Sequence, residues 1–115
     1  MNKTITTETE LKEFINRNQR AVVVFGKKDC LLCSIVETVI DDIEKQYPLV
    51  AFGFTTDREI ADKHHIEAYP VMAFYENGNI MGTLVLMQEA RQINVEPPLF
   101  NIILKRFQYF LPPCL

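Results

Sequence analysis

An apolar run that ends in two closely spaced cysteines is the feature of this 115-residue sequence that most constrains its fold. Residues 20–25 are nearly all apolar, which is typical of a strand buried on both faces. A short polar turn follows, and then Cys30 and Cys33, with two residues between them. Beyond Cys33 the apolar residues recur at intervals of three and four: Ile35, Val36, Val39, Ile40, Ile43 and Tyr47. This spacing predicts a helix over about residues 31–46, so the cysteines lie where a buried strand leads into a helix.

The position of the cysteine pair at a helix N-terminus favours thiol chemistry. Unpaired N–H groups and the positive end of the helix dipole stabilise a thiolate, which is the nucleophile in disulfide exchange. In a reducing compartment, such a pair indicates either redox catalysis or metal binding. The plausible additional metal ligands are His64 and His65, and because adjacent histidines rarely serve one tetrahedral site, we expect no metal. Cys114 is interpreted as an inert thiol in the C-terminal tail, with a resolving or intermolecular role as the alternative.

Composition narrows the class of protein. Apolar residues make up 48% of the chain, which is enough for one hydrophobic core, so we expect a single domain over residues 1–115 with a short tail at 112–115. The net charge is −3 and the basic residues are scattered, which argues against a nucleic-acid partner. No apolar run reaches transmembrane length, and the N-terminus lacks the apolar core of a signal peptide. We therefore expect no membrane partner and a cytoplasmic location.

The rest of the chain alternates between strand and helix patterns. Thr7 and Glu10 have the spacing of a capping box, and Asn77-Gly78 is typical of a two-residue hairpin because both positions need positive φ. The predicted elements are a strand at 2–6, a helix from Thr7 to about Asn18, a strand at 20–25, a helix at 31–46, a strand at 50–55, a short helix from Asp57 to His64 or His65, strands at 71–75 and 80–86, and a last helix from Pro97-Pro98 to about Phe110. This order, β-α-β-α-β-α-β-β-α, predicts parallel βαβ units followed by a hairpin, with helices on both faces.

The last predicted helix carries more apolar residues than one stripe requires. One stripe contains Leu99, Ile102, Ile103, Phe107 and Phe110, whereas Phe100, Leu104 and Leu111 point elsewhere. A surface helix usually has a single apolar stripe. We therefore expect that part of this helix contacts a partner, such as a second copy of the chain in a homodimer, or that residues 87–97 cover the extra face.

The chain resembles the thioredoxin family over roughly residues 2–110. Three features carry the resemblance: Cys30-Leu31-Leu32-Cys33 opens a helix after a buried strand, Pro70 precedes a strand where the family places its cis-proline, and residues 74–79 are similar to the family's final hairpin. The resemblance implies an α/β, thioredoxin-like fold. In this fold a central mixed sheet of four to five strands is flanked by helices on both faces.

The resemblance also implies a thiol–disulfide oxidoreductase that exchanges dithiols with protein disulfides. Cys30 would attack the substrate disulfide, and Cys33 would then resolve the mixed disulfide. Tyr69 and Pro70 would lie against the pair and align an extended substrate chain. Leu31, Leu32 and Leu86 would complete the substrate-binding groove. No cofactor is implied beyond the redox-active disulfide, and a separate reductase would supply the electrons.

Several positions depart from the family pattern. Asp29 replaces a tryptophan, and its carboxylate is expected to destabilise a thiolate and to compete as a helix cap, whereas Lys27 and Lys28 act in the opposite direction. Val24 stands where the family has a buried acid that assists the second cysteine, so we expect slower release of the mixed disulfide. Leu86 replaces a glycine that lets substrate approach. These departures leave open an alternative function, a non-catalytic interaction or accessory protein whose cysteine pair is vestigial or regulatory.

Overall fold

The computed structural model describes residues 3–85 and 98–110, and for residues 98–101 and 110 it describes the backbone alone. In chain order, the elements are β1 (Lys3–Thr4), α1 (Glu8–Arg17), β2 (Arg20–Phe25), α2 (Leu31–Ile43), β3 (Ala51–Thr55), α3 (Arg58–Lys63), β4 (Val71–Glu76), β5 (Asn79–Val85) and α4 (Pro98–Phe110). A short 3-10 helix, Glu44–Gln46, continues α2. Among the described residues, no helix is both long enough and apolar enough to cross a membrane.

The five strands form one mixed sheet in the order β1-β3-β2-β4-β5. The β1, β3 and β2 strands are parallel, whereas β4 runs antiparallel to β2 and β5 antiparallel to β4. The crossovers through α1 and α2 return the chain in the same direction, whereas the connection through α3 reverses it before β4 and the tight hairpin reverses it again. The predicted α/β class and mixed sheet are confirmed.

Two hydrophobic cores lie on the two faces of the sheet. Val22 and Val24 of β2 belong to one core, together with the buried faces of α2 and α4. Ala21, Val23 and Phe25 belong to the other core, which is covered by α1 and α3. Since side chains alternate along a strand, an apolar run such as β2 can fill both cores at once. The central position of β2 fixes where its C-terminal end, and therefore the cysteine loop, emerges.

Local signals explain where several elements begin and turn. The Thr7 hydroxyl accepts a hydrogen bond from the Glu10 N–H at 3.1 Å, as predicted for the N-cap of α1. The Glu10 carboxylate accepts from the Thr6 hydroxyl at 2.6 Å, and this bond lowers the pKa of Glu10. Asn77 and Gly78 both have positive φ, 52° and 83°, as the hairpin between β4 and β5 requires.

The C-terminal helix α4 contributes to the core of its own chain. Ile103 and Phe107 are buried, and Ile102 and Leu104 pack against the same cluster. The prediction that Leu104 points away from the main stripe is therefore wrong, because this side chain also reaches the core. The homodimer through α4 stays a prediction. The predicted covering segment, residues 87–97, and two predicted functional positions, Leu86 and Cys114, lie outside the described residues.

Candidate active site

The sheet brings three chain segments to one edge. Phe25, the last residue of β2, is in register with Thr55, the last residue of the parallel strand β3. Phe25 is also in register with Val71, the first residue of the antiparallel strand β4. The cysteine loop after β2, the residues after β3 and the residues before β4 therefore meet at the same edge, where α/β proteins commonly carry their sites.

Cys30 and Cys33 form a disulfide at the N-terminus of α2, with their Cα atoms 5.2 Å apart. Cys30 is the N-cap residue, and its Sγ accepts a hydrogen bond from the Cys33 N–H at 3.1 Å. The Cys30 carbonyl accepts from the Ser34 N–H at 3.2 Å. The expectation that Asp29 caps this helix is wrong, because the sulfur of the next residue occupies the capping position. The sulfur of Cys30 thus contacts one of the N–H groups that would stabilise a thiolate.

The two sulfur-bearing residues differ in exposure. Cys30 is partly exposed, whereas Cys33 is only 3% exposed. A Cβ atom placed on Gly26 would lie 3.3 Å from the Cys33 Sγ and 3.1 Å from the Phe54 ring, so glycine permits this close approach. Val24, at the position of the family's acid, is fully buried. Cys33 is therefore buried close to the backbone of Gly26.

The loop between β2 and α2 is exposed and tightly turned. Lys27, Lys28 and Asp29 are all exposed, and Asp29 has a φ of +56°. Aspartate is one of the few residues other than glycine that enters the left-handed region at modest cost, so its presence here suits the turn. Leu31 directs its side chain outward and is 78% exposed, whereas Leu32 packs against the core. The proposed influence of the three charged residues on the thiolate stays a prediction.

Tyr69 and Pro70 lie just before β4, on the other side of β2 from β3. The peptide bond between them is cis, and Pro70 is buried. Tyr69 packs partly against the core that contains Phe25. The register of β4 with β2 thus brings these two residues to the edge of the sheet that carries the cysteine loop.

A depression of 480 Å³ adjoins the disulfide on the β3 side. Its lining residues come from the cysteine loop, from the start of α2 and from the end of β3: Lys27, Lys28, Asp29, Cys30, Leu31, Ser34, Glu37, Phe54 and Thr56. Four of these, Ser34, Glu37, Phe54 and Thr56, were not predicted as site residues. The sequence held a usable signal for Phe54 and Thr56, because β3 was predicted to be parallel to β2 and its C-terminal end must meet the same edge.

The two histidines lie away from the cysteines in sequence and have local contacts of their own. His64 Nε2 lies 3.0 and 3.2 Å from the two carboxylate oxygens of Glu8, and its ring is 6.0 Å from that of Phe25. His65 is exposed. Within residues 3–85 and 98–110, no group of three or more His, Cys, Asp or Glu side chains is arranged to hold a metal ion.

A mixed β-sheet between two layers of helices, together with a disulfide at the N-terminus of one helix, defines the thioredoxin-like class of redox proteins. The thioredoxin family model matches residues 2–95, and the chain belongs to the thioredoxin family. With the Cys30–Cys33 disulfide, this membership supports a thiol–disulfide oxidoreductase kind of function.

Relatives and solved structures agree with this assignment. Thioredoxin from Buchnera aphidicola is 29% identical over 84 residues, which cover 69% of this chain and 77% of the relative. Plasmodium falciparum thioredoxin superposes with a TM-score of 0.68 at 23% identity, covering 78% of this chain and 97% of that one. Mitochondrial thioredoxin 3 from Saccharomyces cerevisiae, in its oxidized form, superposes with a TM-score of 0.68 at 20% identity, covering 79% of this chain and 94% of that one. At these identities the solved structures show the shared fold alone.

Proposed function

We propose that this protein exchanges its Cys30/Cys33 dithiol with disulfides of other proteins. The observation that carries the proposal is the unequal exposure of two bonded cysteines at the start of α2. A partly exposed Cys30 is open to an incoming disulfide, whereas a buried Cys33 needs only to reach its neighbour. This difference supports the division of roles that the family resemblance implies.

The reaction transfers two electrons in two steps. The Cys30 thiolate attacks one sulfur of the substrate disulfide, a mixed disulfide forms, and the first substrate thiolate leaves and takes a proton from solvent. Cys33, after losing its proton, then attacks the Cys30 Sγ and displaces the second substrate thiolate. The products are the Cys30–Cys33 disulfide and a reduced substrate with two thiols. Burial of Cys33 disfavours its thiolate, and Val24 replaces the family's acid, so we expect the second step to be slow.

We propose that substrate chains lie along Tyr69 and Pro70. The residue before β4 offers backbone polar groups beside the sheet, and an extended chain is recognised by such groups in many complexes. Leu31, at 78% exposure, would contact apolar side chains next to the substrate disulfide. Leu32 would contribute less, because it packs against the core. We also propose that Leu86 helps to form the substrate-binding groove.

The charged turn would adjust the reactivity of Cys30. Lys27 and Lys28 would favour its thiolate and Asp29 would oppose it, and exposure limits each effect through solvent screening. We further propose that the protein works without a bound cofactor, receives electrons from a separate reductase and acts in the cytoplasm. A reducing compartment is where a cysteine pair of this kind serves catalysis rather than a structural framework.

Insulin reduction with dithiothreitol as electron source tests the proposal. The protein with Cys114→Ser should accelerate the precipitation of insulin chains, and Cys30→Ser added to this background should abolish the acceleration. Circular dichroism of both proteins controls for folding.

The alternative is the non-catalytic interaction or accessory protein, which the exposed Leu31 and the burial of Cys33 also fit. It predicts that insulin is reduced no faster with the protein than with dithiothreitol alone. The insulin assay therefore separates the two functions.

A further inference from the structure

The depression on the β3 side of Cys30 shares Leu31 with the surface proposed for protein substrates, but it lies on the opposite side of β2 from Tyr69 and Pro70. Tyr69 and Pro70 precede β4, whereas Phe54 and Thr56 of the depression belong to the end of β3 and the residue after it. Because β3 and β4 flank β2 on opposite sides, the two surfaces approach Cys30 from opposite directions. A volume of 480 Å³ lies within the range of small-molecule sites.

Charges of both signs line this depression in equal number. Lys27 and Lys28 provide two cations, and Asp29 and Glu37 provide two anions. Within the described part of the chain, none of these four makes a salt bridge with another residue. A site with this lining complements a ligand that carries both ammonium and carboxylate groups, and it offers no net attraction to a ligand of one sign.

We propose that this depression binds the zwitterionic arm of a low-molecular-weight disulfide, such as the disulfide of an amino acid or short peptide, and presents its sulfur to Cys30. The lysines would bind the carboxylates, and Asp29 and Glu37 would bind the ammonium groups. The proposal rests on the exchange chemistry proposed above and adds a second class of substrate to it.

The reaction balances without another reactant. The Cys30 thiolate attacks one sulfur of the small disulfide, and the first small thiolate leaves and takes a proton from solvent. Cys33 loses its proton, attacks the Cys30 Sγ and releases the second small thiolate. The protein dithiol is oxidised to a disulfide, and the small disulfide is reduced to two thiols. In the reverse direction, two small thiols reduce the protein.

Four small disulfides of different charge test the proposal on the reduced protein with Cys114→Ser. They are bis(2-hydroxyethyl) disulfide (neutral), 3,3′-dithiodipropionate (carboxylates only), cystamine (ammonium groups only) and L-cystine (both). Samples quenched with acid and alkylated are analysed by intact mass, because the chain contains no tryptophan to serve as a fluorescent reporter. Dividing each rate constant by that of dithiothreitol with the same disulfide removes differences in intrinsic reactivity.

L-cystine should react about tenfold faster than the neutral probe after this normalisation, as two partly exposed ion pairs would give. In the Lys27→Gln/Lys28→Gln variant the carboxylate probe should react more slowly than the neutral probe, because the two anions remain, and in Asp29→Asn/Glu37→Gln cystamine should react more slowly, because the two cations remain. Any effect of the substitutions on the reactivity of the Cys30 thiolate cancels, because the rate of each variant is divided by the rate of the same variant with the neutral probe. Lys12→Gln and Glu13→Gln on α1 each remove one charge of the corresponding sign elsewhere and should leave the ratios unchanged.

Normalised rates that agree within twofold across the four probes would overturn this inference and leave the proposed function intact. The same holds if the charge variants alter only the rate with insulin, since the depression would then serve protein substrates. If the neutral probe and insulin both fail to react, the proposed function fails as well.

Discussion

Reducing the bond between Cys30 and Cys33 should lower the free energy of unfolding by about 1 kcal/mol. A sequence separation of 3 closes a loop of four residues, and the chain-entropy model gives such a loop about 1.9 kcal/mol of stabilisation at 25 °C. Reduction has an opposing effect, because the Cys30 thiolate accepts the Cys33 N–H more strongly than a neutral sulfur does. A charge-assisted hydrogen bond contributes about 1 kcal/mol more than a neutral one. The difference favours the oxidised protein.

Urea unfolding followed by circular dichroism measures this difference in the Cys114→Ser background. The oxidised and reduced proteins are compared at one pH, with dithiothreitol present only for the reduced form. The matched control carries Cys30→Ser and Cys33→Ser, and its unfolding should not respond to dithiothreitol. Equal slopes against urea for both forms would show that the compared states expose similar surface.

The sign of the difference bears on function through a thermodynamic cycle. If the oxidised form is more stable, folding favours the disulfide, and the folded dithiol is a stronger reductant than the unfolded one. A reduced form more stable than the oxidised form by 1 kcal/mol or more would refute the reasoning. Stabilisation of the Cys30 thiolate would then outweigh loop closure, and folding would favour the dithiol.

Substitutions at three positions, two of them with a matched control, test the structure. Phe107→Ala should lower the free energy of unfolding in urea by about 3–5 kcal/mol, since this buried ring contacts three others, and a loss below 1 kcal/mol would show that α4 does not close the core. Burial, with Glu8 nearby, raises the pKa of Tyr75 to about 12. The stability that neutral Tyr75 contributes is full below the unfolded pKa of about 10 and is lost as pH rises towards 12. The free energy of unfolding should therefore fall by about 1.4 kcal/mol by pH 11. Tyr75→Phe should abolish this part of the pH dependence, whereas Tyr109→Phe, at an exposed position, should retain it. If the two variants lost equal stability between pH 10 and pH 11, the assignment of this pH dependence to Tyr75 would be contradicted. Asp29→Val should lower the free energy of unfolding in urea by about 1–2 kcal/mol, because valine is strained at the positive φ of this position, and Asp29→Gly should lower it much less. An Asp29→Val variant as stable as the parent protein would argue against the left-handed turn at this residue.

Sequence patterns predicted the parts of the fold that depend on local chemistry. The apolar run of β2 indicated a central strand, and Val22 and Val23 indeed enter opposite cores. Asn77-Gly78 indicated a hairpin, because few other residue pairs accept two positive φ values. Each of these signals lies within a few residues of the structure it specifies.

The arrangement of the site was harder to predict because it depends on the path of the backbone and on distant segments. Whether Asp29 or Cys30 caps α2 is decided by the left-handed turn at Asp29, which residue identity alone did not reveal. The close approach of Phe54 and Cys33 to Gly26 depends on the absence of a Cβ atom there and on the register of β3. Leu104 looked superfluous to the main stripe, yet it packs against the core.

Trapping the mixed disulfide tests the central claim most directly. Protein with Cys33→Ser and Cys114→Ser retains Cys30 alone and, mixed with a disulfide-bonded protein, should form a covalent 1:1 adduct visible by intact mass and released by dithiothreitol. The matched variant of this chain, with Cys30→Ser and Cys114→Ser, retains Cys33 alone and should form little adduct, because Cys33 is buried. Equal adduct in both variants, or adduct only through Cys33, would contradict the assignment of Cys30 as the attacking thiol.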